Sequence, residues 1–269
     1  MILYVAATFG FGLFYLLNKW YYPALMKMVF GPESPYFKLD EKNLREYHSR
    51  NVADFHSAIA APLSTISLFY CCDDKTKDIF SSQDCLMKPQ MIQLYCIVIS
   101  SGYVTYDLFL CIFELGYTMS KGGDFIVHHI VGLVGAGAVL VSGRFNVALS
   151  AGNLFSEWTA FFMNGRWRMI KHGQGVGTLF LIMNALFFFS YVFARIILMG
   201  MLILRNYQIQ QHFDISSDPP LIFICAIIST VLQVVLYIIQ LFWFQLIAGA
   251  CMRTLKGGTK KATIDKRDE

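Results

Sequence analysis

The chain has 269 residues, 56% of them hydrophobic and 15% charged, with a formal net charge of +4. A soluble domain carries about a quarter charged residues, and here the apolar residues gather in blocks about twenty long, enough for a helix to cross roughly 30 Å of hydrocarbon. Composition therefore excludes a soluble globular protein, and because the basic excess follows membrane topology no nucleic-acid partner is invoked.

Inside hydrocarbon only helices or closed barrels satisfy their own backbone, and these blocks lack the period-two alternation of barrel strands. The fold class is thus an all-α membrane protein of about seven transmembrane helices, at 2–22, 50–71, 91–115, 124–142, 146–164, 176–204 and 219–251. The first reads as a retained anchor, with no basic stretch before it and no small-residue cleavage site after it. Its far end, Asn18-Lys19-Trp20-Tyr21-Tyr22-Pro23, reads as an interfacial aromatic belt and a helix stop. Residues 23–49 form the longest connection, with a turn at Gly31-Pro32 and Ser34-Pro35 and a short polar helix over Leu39–Tyr47. The last span is uncharged from Pro219 to Met252 and longer than one crossing needs, so it tilts or projects.

Connections 19–50, 116–123 and 165–175 and the tail from Arg253 hold sixteen of the 22 basic residues. The opposite connections hold five, Lys75, Lys77, Lys88, Arg144 and Arg205, and Arg195 lies within a span. The excess of Lys and Arg faces the cytosol, which predicts a luminal N-terminus and a cytosolic C-terminus. The polar tail 256–269 reads as disordered, and its last residues, Lys266-Arg267-Asp268-Glu269, approximate a retrieval signal of the endoplasmic reticulum. Of seven cysteines, Cys71, Cys72 and Cys85 fall at the predicted luminal side. An oxidising lumen permits a bridge to Cys85 from Cys71 or Cys72, with Cys72–Cys85 the pair carried forward.

An unpaired charge near the bilayer centre costs several kcal/mol, so each intramembrane ionisable group is a functional candidate. The third span carries Ser100, Tyr103, Asp107 and Glu114 on one helical face, and the fifth carries Asn153, Glu157 and Asn164 on another. The second carries Asn51, Asp54 and Ser57, with His56 on a different side. The fourth opens on Asp124, His128 and His129, the two rings about 100° apart around the helix. With the orientation above, Asp54, His56, Asp107, His128, His129, Glu157 and Asn164 fall in the cytosolic half of the membrane. Arg195 alone sits in the other half, where it is expected to snorkel to the interface. Gly132, Gly135, Ala136 and Val139 form a small-residue strip for close helix approach.

The site predicted from depth is a polar cavity with Asp107, His128, His129 and Glu157 at its heart, lined further by Asp54, His56, Tyr103, Asn153 and Asn164. Arg166, Arg168 and Lys171, in a basic aromatic collar at the cytosolic end, suit a head-group phosphate or the phosphates of an acyl-CoA. The competing reading makes these polar residues interhelical hydrogen-bond glue. No metal or other cofactor is expected, because adjacent histidines chelate one ion awkwardly and no His-x-x-x-His pair occurs.

Asp124-Phe-Ile-Val-His128-His129-Ile-Val-Gly132, followed by Glu157-Trp-Thr-Ala-Phe-Phe-Met-Asn164-Gly-Arg166-Trp167, resembles the core of the TLC domain. That family is named for the translocating-chain-associating membrane protein, the longevity-assurance ceramide synthases and a neuronal ceroid lipofuscinosis protein. The similarity runs over about 45–255, leaving 1–44 as a leading helix with a cytosolic linker and 256–269 as the tail. The resemblance implies six helices in a barrel around a long lipid cavity, preceded here by one leading helix. In ceramide synthases the paired histidines, matching His128 and His129, transfer an acyl chain from acyl-CoA to a sphingoid amine, for which a histidine base is chemically apt. The synthase motif continues with a His-Asp pair, where this chain has Ser142-Gly-Arg144-Phe-Asn146 and then Glu157.

Three readings follow. The first is a protein of lipid homeostasis that binds a long-chain lipid or acyl group in its barrel. The second is an acyl-CoA-dependent acyltransferase using His128 or His129, with Glu157 and Asp107 orienting it. The third is a membrane cargo receptor or chaperone. Membrane lipids, a long-chain acyl lipid or acyl-CoA are the expected partners, and the oligomeric state is left open.

Overall fold

The computed structural model describes residues 1–210 and 219–256, with side chains as far as Met252. The tail beyond Lys256, with its Lys266-Arg267 signal, lies outside the described residues, as does part of the connection before the last span. All the regular elements described are helical: α1 (Ile2–Phe30), α2 (Glu41–Phe69), α3 (Gln83–Met87), α4 (Met91–Phe113), α5 (Gly123–Ser142), α6 (Arg144–Asn153), α7 (Trp158–Lys171), α8 (Thr178–Tyr191), α9 (Met199–Gln210) and α10 (Pro220–Lys256). Six helices are long and apolar enough to cross a membrane, α8 and α9 counting as one rod through a π-helical stretch at Val192–Leu198. The fifth predicted span, 146–164, is not one continuous crossing helix: a 3-10 turn at Leu154–Glu157 separates α6 from α7.

Two predicted boundaries move. The expected stop at Pro23 fails, and α1 continues to Phe30 with the proline inside it. Proline removes the hydrogen bond to the carbonyl four residues back, but Met26, one turn on, packs against Tyr36 and Tyr47 and so offsets that loss. The short polar helix at Leu39–Tyr47 is the first part of α2 itself. Asp40 caps it, accepting the Asn43 backbone N–H at 2.8 Å, which satisfies one of the helix's otherwise unpaired donors.

The packing order closes a ring. Helix α2 lies against α4, α4 against α5, α5 against α10, α10 against the α8–α9 rod, α8 against α7, and α7 back against α2. Helix α1 stands outside it, on α2 and α4. Its docking is close: a Cβ at Gly102 of α4 would sit 2.6 Å from Ala7 Cβ and 3.0 Å from the Thr8 backbone nitrogen. At the far end of α1, Lys19 Nζ and Tyr15 Oη donate to Glu114 Oε1 at 2.9 and 3.1 Å. The Lys19 hydrogen bond is the main reason the Glu114 carboxyl is held below its usual range.

Helix α6 runs inside the ring rather than in its wall, touching α2, α4, α5 and α9. Its Phe145, Val147, Ala148, Leu149 and Ala151 are each 1% exposed or less. The connection after α2 then closes that end. Ile79 and Leu86 fold in against Leu68, Phe145 and Leu202, Cys72 is disulfide-bonded to Cys85, and Arg205 Nε donates to the Ile79 carbonyl at 3.2 Å. These two side chains lie beyond the spans, where burying each contributes about 1.5–3 kcal/mol.

The α1 docking is testable. Gly102→Ala is expected to lower the unfolding midpoint of the detergent-purified protein, through overpacking of about 1–3 kcal/mol. Gly137→Ala, whose added carbon meets nothing within 4 Å, should leave that midpoint nearly unchanged.

Candidate functional site

The predicted polar band separates into two clusters. The outer one lies near the start of α2. Asn164 Nδ2 donates to Asp54 Oδ1 at 2.6 Å, and Arg168 Nη2 donates to Asp54 Oδ2 at 2.5 Å and to Asn51 Oδ1 at 2.9 Å. Arg50 pairs with Glu46 and donates to Asn164 Oδ1 at 2.9 Å. Asn18 of α1 joins through its Oδ1, which accepts from Asn51 and faces His48 Nδ1, while His48 Nε2 meets the Tyr36 hydroxyl. Asp54 and Asn164 thus face each other and Arg168, not the imidazoles. Of the collar residues proposed for a phosphate, Arg168 is paired with Asp54, Arg166 Nε donates to Asn184 Oδ1 at 2.6 Å, and Lys171 lies 5.7 Å from the Trp167 ring centre.

Deeper in the ring lies the second cluster. His129 Nε2 is 2.9 Å from Asp107 Oδ2, and its Nδ1 is 2.8 Å from the Phe125 carbonyl. Both partners are acceptors, so the ring fills both bonds only by donating from each nitrogen. It then keeps no lone pair. The 3-10 turn delivers Glu157 to α2, where Ser57 Oγ donates to Oε2 at 3.0 Å and His56 Nδ1 lies 3.6 Å away. His56 is 1% exposed, meets Ser100 Oγ through Nε2 at 3.0 Å and stacks on Tyr103 at 4.0 Å. His128 sits against Trp243 of α10, 5.2 Å between ring centres, while Trp243 Nε1 donates to Asp124 Oδ2 at 2.8 Å. His128 is within electrostatic reach of His129, Glu157 and Arg195.

Three buried polar atoms of this region have no hydrogen-bond partner in the protein: His128 Nδ1, His56 Nδ1 and Asn153 Oδ1. His56 Nδ1 lies 3.6 Å from the Glu157 carboxylate, and Asn153 lies one helical turn before Glu157. Buried polar groups are nearly always satisfied, so such a group needs an explanation. Glu157 is deep within the bundle, yet 21% of its side chain is accessible, and a Cβ at Gly132, one turn beyond His128, would meet nothing within 4 Å. The Glu157 carboxylate is therefore not fully covered by its neighbours. At Gly132 the small-residue strip opens rather than packs, whereas Gly135 meets Leu232 at 3.7 Å.

Arg195 does not snorkel. Its guanidinium turns inward, Nε donating to Thr159 Oγ1 at 2.8 Å, Nη1 to Gln240 Oε1 at 3.2 Å and Nη2 to the Ser156 carbonyl at 3.4 Å. Thr159, Gln240 and Trp243 escape a reading based on charge, because neutral residues in apolar segments carry no such signal. Among the described residues no three His, Cys, Asp or Glu side chains are grouped to hold a metal ion. The outer cluster makes a direct prediction. Arg168→Ala strands Asp54 and should destabilise the protein by about 1.5–3 kcal/mol, while Asp54→Ala in the same chain should recover part of the loss, read by unfolding midpoints in detergent.

No curated protein and no solved structure gives a significant match to the chain. The TLC domain does match, over residues 49–249. That stretch runs from Ser49 in α2 to nearly the end of α10, and so takes in the inner cluster and the Asp54, Asn164 and Arg168 core of the outer one while leaving α1 outside. The chain is a multi-pass membrane protein of the TLC domain family.

Proposed function

We propose that this protein binds a long-chain lipid or acyl group inside the helical ring, with the ligand's polar end at Glu157 and its chain along the apolar interior, and so contributes to lipid homeostasis. The observation that carries this reading is the set of unpartnered polar atoms, His56 Nδ1, His128 Nδ1 and Asn153 Oδ1, together with a deep but accessible carboxylate. A ring sealed at the α3 end by protein side chains suits a ligand with one polar end and a long apolar body, as most small-molecule sites do. Residues 1–44 are then a leading helix and linker added to the lipid-binding unit.

The membrane setting follows the same physics. Lys and Arg concentrate at the end where α2 begins, and the Cys72–Cys85 bond lies at the other. Positive residues favour the cytosol and disulfides an oxidising lumen, so both support a luminal N-terminus and a cytosolic C-terminus, with the endoplasmic reticulum as the proposed compartment.

One observation favours a second reading, an acyl-CoA-dependent acyltransferase akin to the ceramide synthases. Of the adjacent histidines, His128 makes no hydrogen bond among the described residues and keeps a ring nitrogen free. In that reading His128 is the general base that removes the proton from an attacking amine or alcohol, and Asp107 holds His129 beside it.

Mass spectrometry of the detergent-purified protein should show a co-purifying long-chain lipid, reduced several-fold in His128→Leu. Retention no greater than for an unrelated helical membrane protein would overturn the lipid reading and favour a cargo receptor. Incubation with labelled acyl-CoA separates binder from enzyme: turnover lost in both His128→Ala and His129→Ala supports catalysis, and no turnover in the native protein removes it.

A further inference from the structure

Arg195 is placed where a cation is expensive, near the middle of the Thr178–Gln210 crossing. Its backbone is also irregular, since Val192–Leu198 is π-helical, a geometry that turns up mostly at functional sites. The Ile196 carbonyl, which accepts the Met199 N–H, takes a further hydrogen bond from the Tyr237 hydroxyl at 3.2 Å. The irregular turn is thus held by α10, and it points Arg195 at the 3-10 turn carrying Glu157.

The partners of this guanidinium are all neutral. Thr159 Oγ1, Gln240 Oε1 and the Ser156 carbonyl take one N–H each from Nε, Nη1 and Nη2. An arginine has five such donors, so one on each terminal nitrogen is left over. Arg168, Arg50 and Lys19 each have a carboxylate within 4 Å, at Asp54, Glu46 and Glu114. Arg195 makes no ion pair among the described residues; Glu157 is within electrostatic reach but is held by Ser57, with His56 nearby. His128, also in reach, offers its unpartnered Nδ1.

We propose that Arg195 is the anion subsite of the intramembrane site and takes the carboxylate of a long-chain fatty acid, with the His128 ring beside it. The two remaining donors of a guanidinium suit the two oxygens of a carboxylate. The neighbouring Glu157 charge favours a monoanion over a doubly charged phosphate. This rests on the reading that the ring holds a long-chain lipid, and it adds what that lipid's polar end is.

The test is competition binding of labelled hexadecanoic acid to the full-length protein in detergent, at a pH where the acid is ionised. Unlabelled acid, its methyl ester and a lysophosphatidic acid of the same chain are the competitors. The acid is expected to bind at least tenfold tighter than the ester and tighter than the phosphate. Arg195→Gln should reduce acid affinity about tenfold and ester affinity less than twofold, Arg195→Lys should keep most of the preference, and Glu157→Gln should raise it. Equal binding of acid and ester by the native protein, or equal loss of both in Arg195→Gln, overturns the anion subsite while the lipid reading stands. A phosphate that outcompetes the acid overturns the carboxylate assignment. Binding of none of the three overturns both. Should Arg195→Gln fail to fold, the native acid-to-ester ratio and its change in Glu157→Gln decide the matter.

Discussion

Hydrocarbon does not solvate charge, and most of the interior of this protein follows from that. Unpaired, an ionisable group there costs several kcal/mol, whereas an interhelical hydrogen bond between membrane helices contributes only about 0.6 kcal/mol on average. The pairs are therefore present less for what each bond adds than for what its absence would cost. Their consequence is geometric. Asp54 with Arg168 and Asn164 fixes α2 to α7, His129 with Asp107 fixes α5 to α4, and Ser57 with Glu157 fixes α2 to the turn before α7. Each pair joins elements that pack against one another. Once the pairs are made, the two cations of the inner cluster's open side, His128 when protonated and Arg195, lack a charged partner at bonding distance among the described residues.

Two departures from α-helical geometry face each other across the interior, the 3-10 turn Leu154–Glu157 and the π-helical stretch Val192–Leu198. Irregular backbone at membrane depth persists only where protein groups satisfy it. Here they do so jointly. The Ser156 carbonyl accepts from Thr159 Oγ1 at 2.8 Å and from Arg195, so a side chain of the π stretch completes the 3-10 turn. Tyr237 completes the π stretch in its turn. Glu157 and Arg195 owe their positions to this mutual support, which couples them more tightly than their separation in sequence suggests.

The hydropathy of the chain told where six crossings lie, because a twenty-residue apolar block has few other uses, but not that α1 runs on to Phe30 or that α2 begins at Glu41. It could not show that 146–164 is broken, since Leu154-Phe155-Ser156 is as apolar as its surroundings and the break is stabilised by distant Thr159 and Arg195. Helical spacing put Asp54 and Ser57 on one side of α2 and His56 on another, yet Ser57 and His56 are the two that meet Glu157 while Asp54 turns to Arg168. Spacing fixes angles around one helix axis; it does not say which neighbour occupies each angle. Arg195 was misread for the same reason. Snorkelling is the default for a long cation with no partner nearby in sequence, and its partners Thr159 and Gln240 lie 36 and 45 residues away.

Adjacent histidines on a helix point about 100° apart, and here the two rings stand 84° to one another with centres 5.7 Å apart. They cannot share one partner, so they divide. His129 faces α4 and is consumed by Asp107 and the Phe125 carbonyl, while His128 faces Trp243 with a nitrogen unengaged. While it holds both bonds His129 has no lone pair, so of the two rings His128 is the one that keeps a nitrogen without a hydrogen bond among the described residues. The Asp107–His129 pair serves instead to fix α5 against α4 and thereby to set where His128 stands. The pair of imidazoles is thus one ring engaged between two helices and one with a nitrogen left unengaged among the described residues.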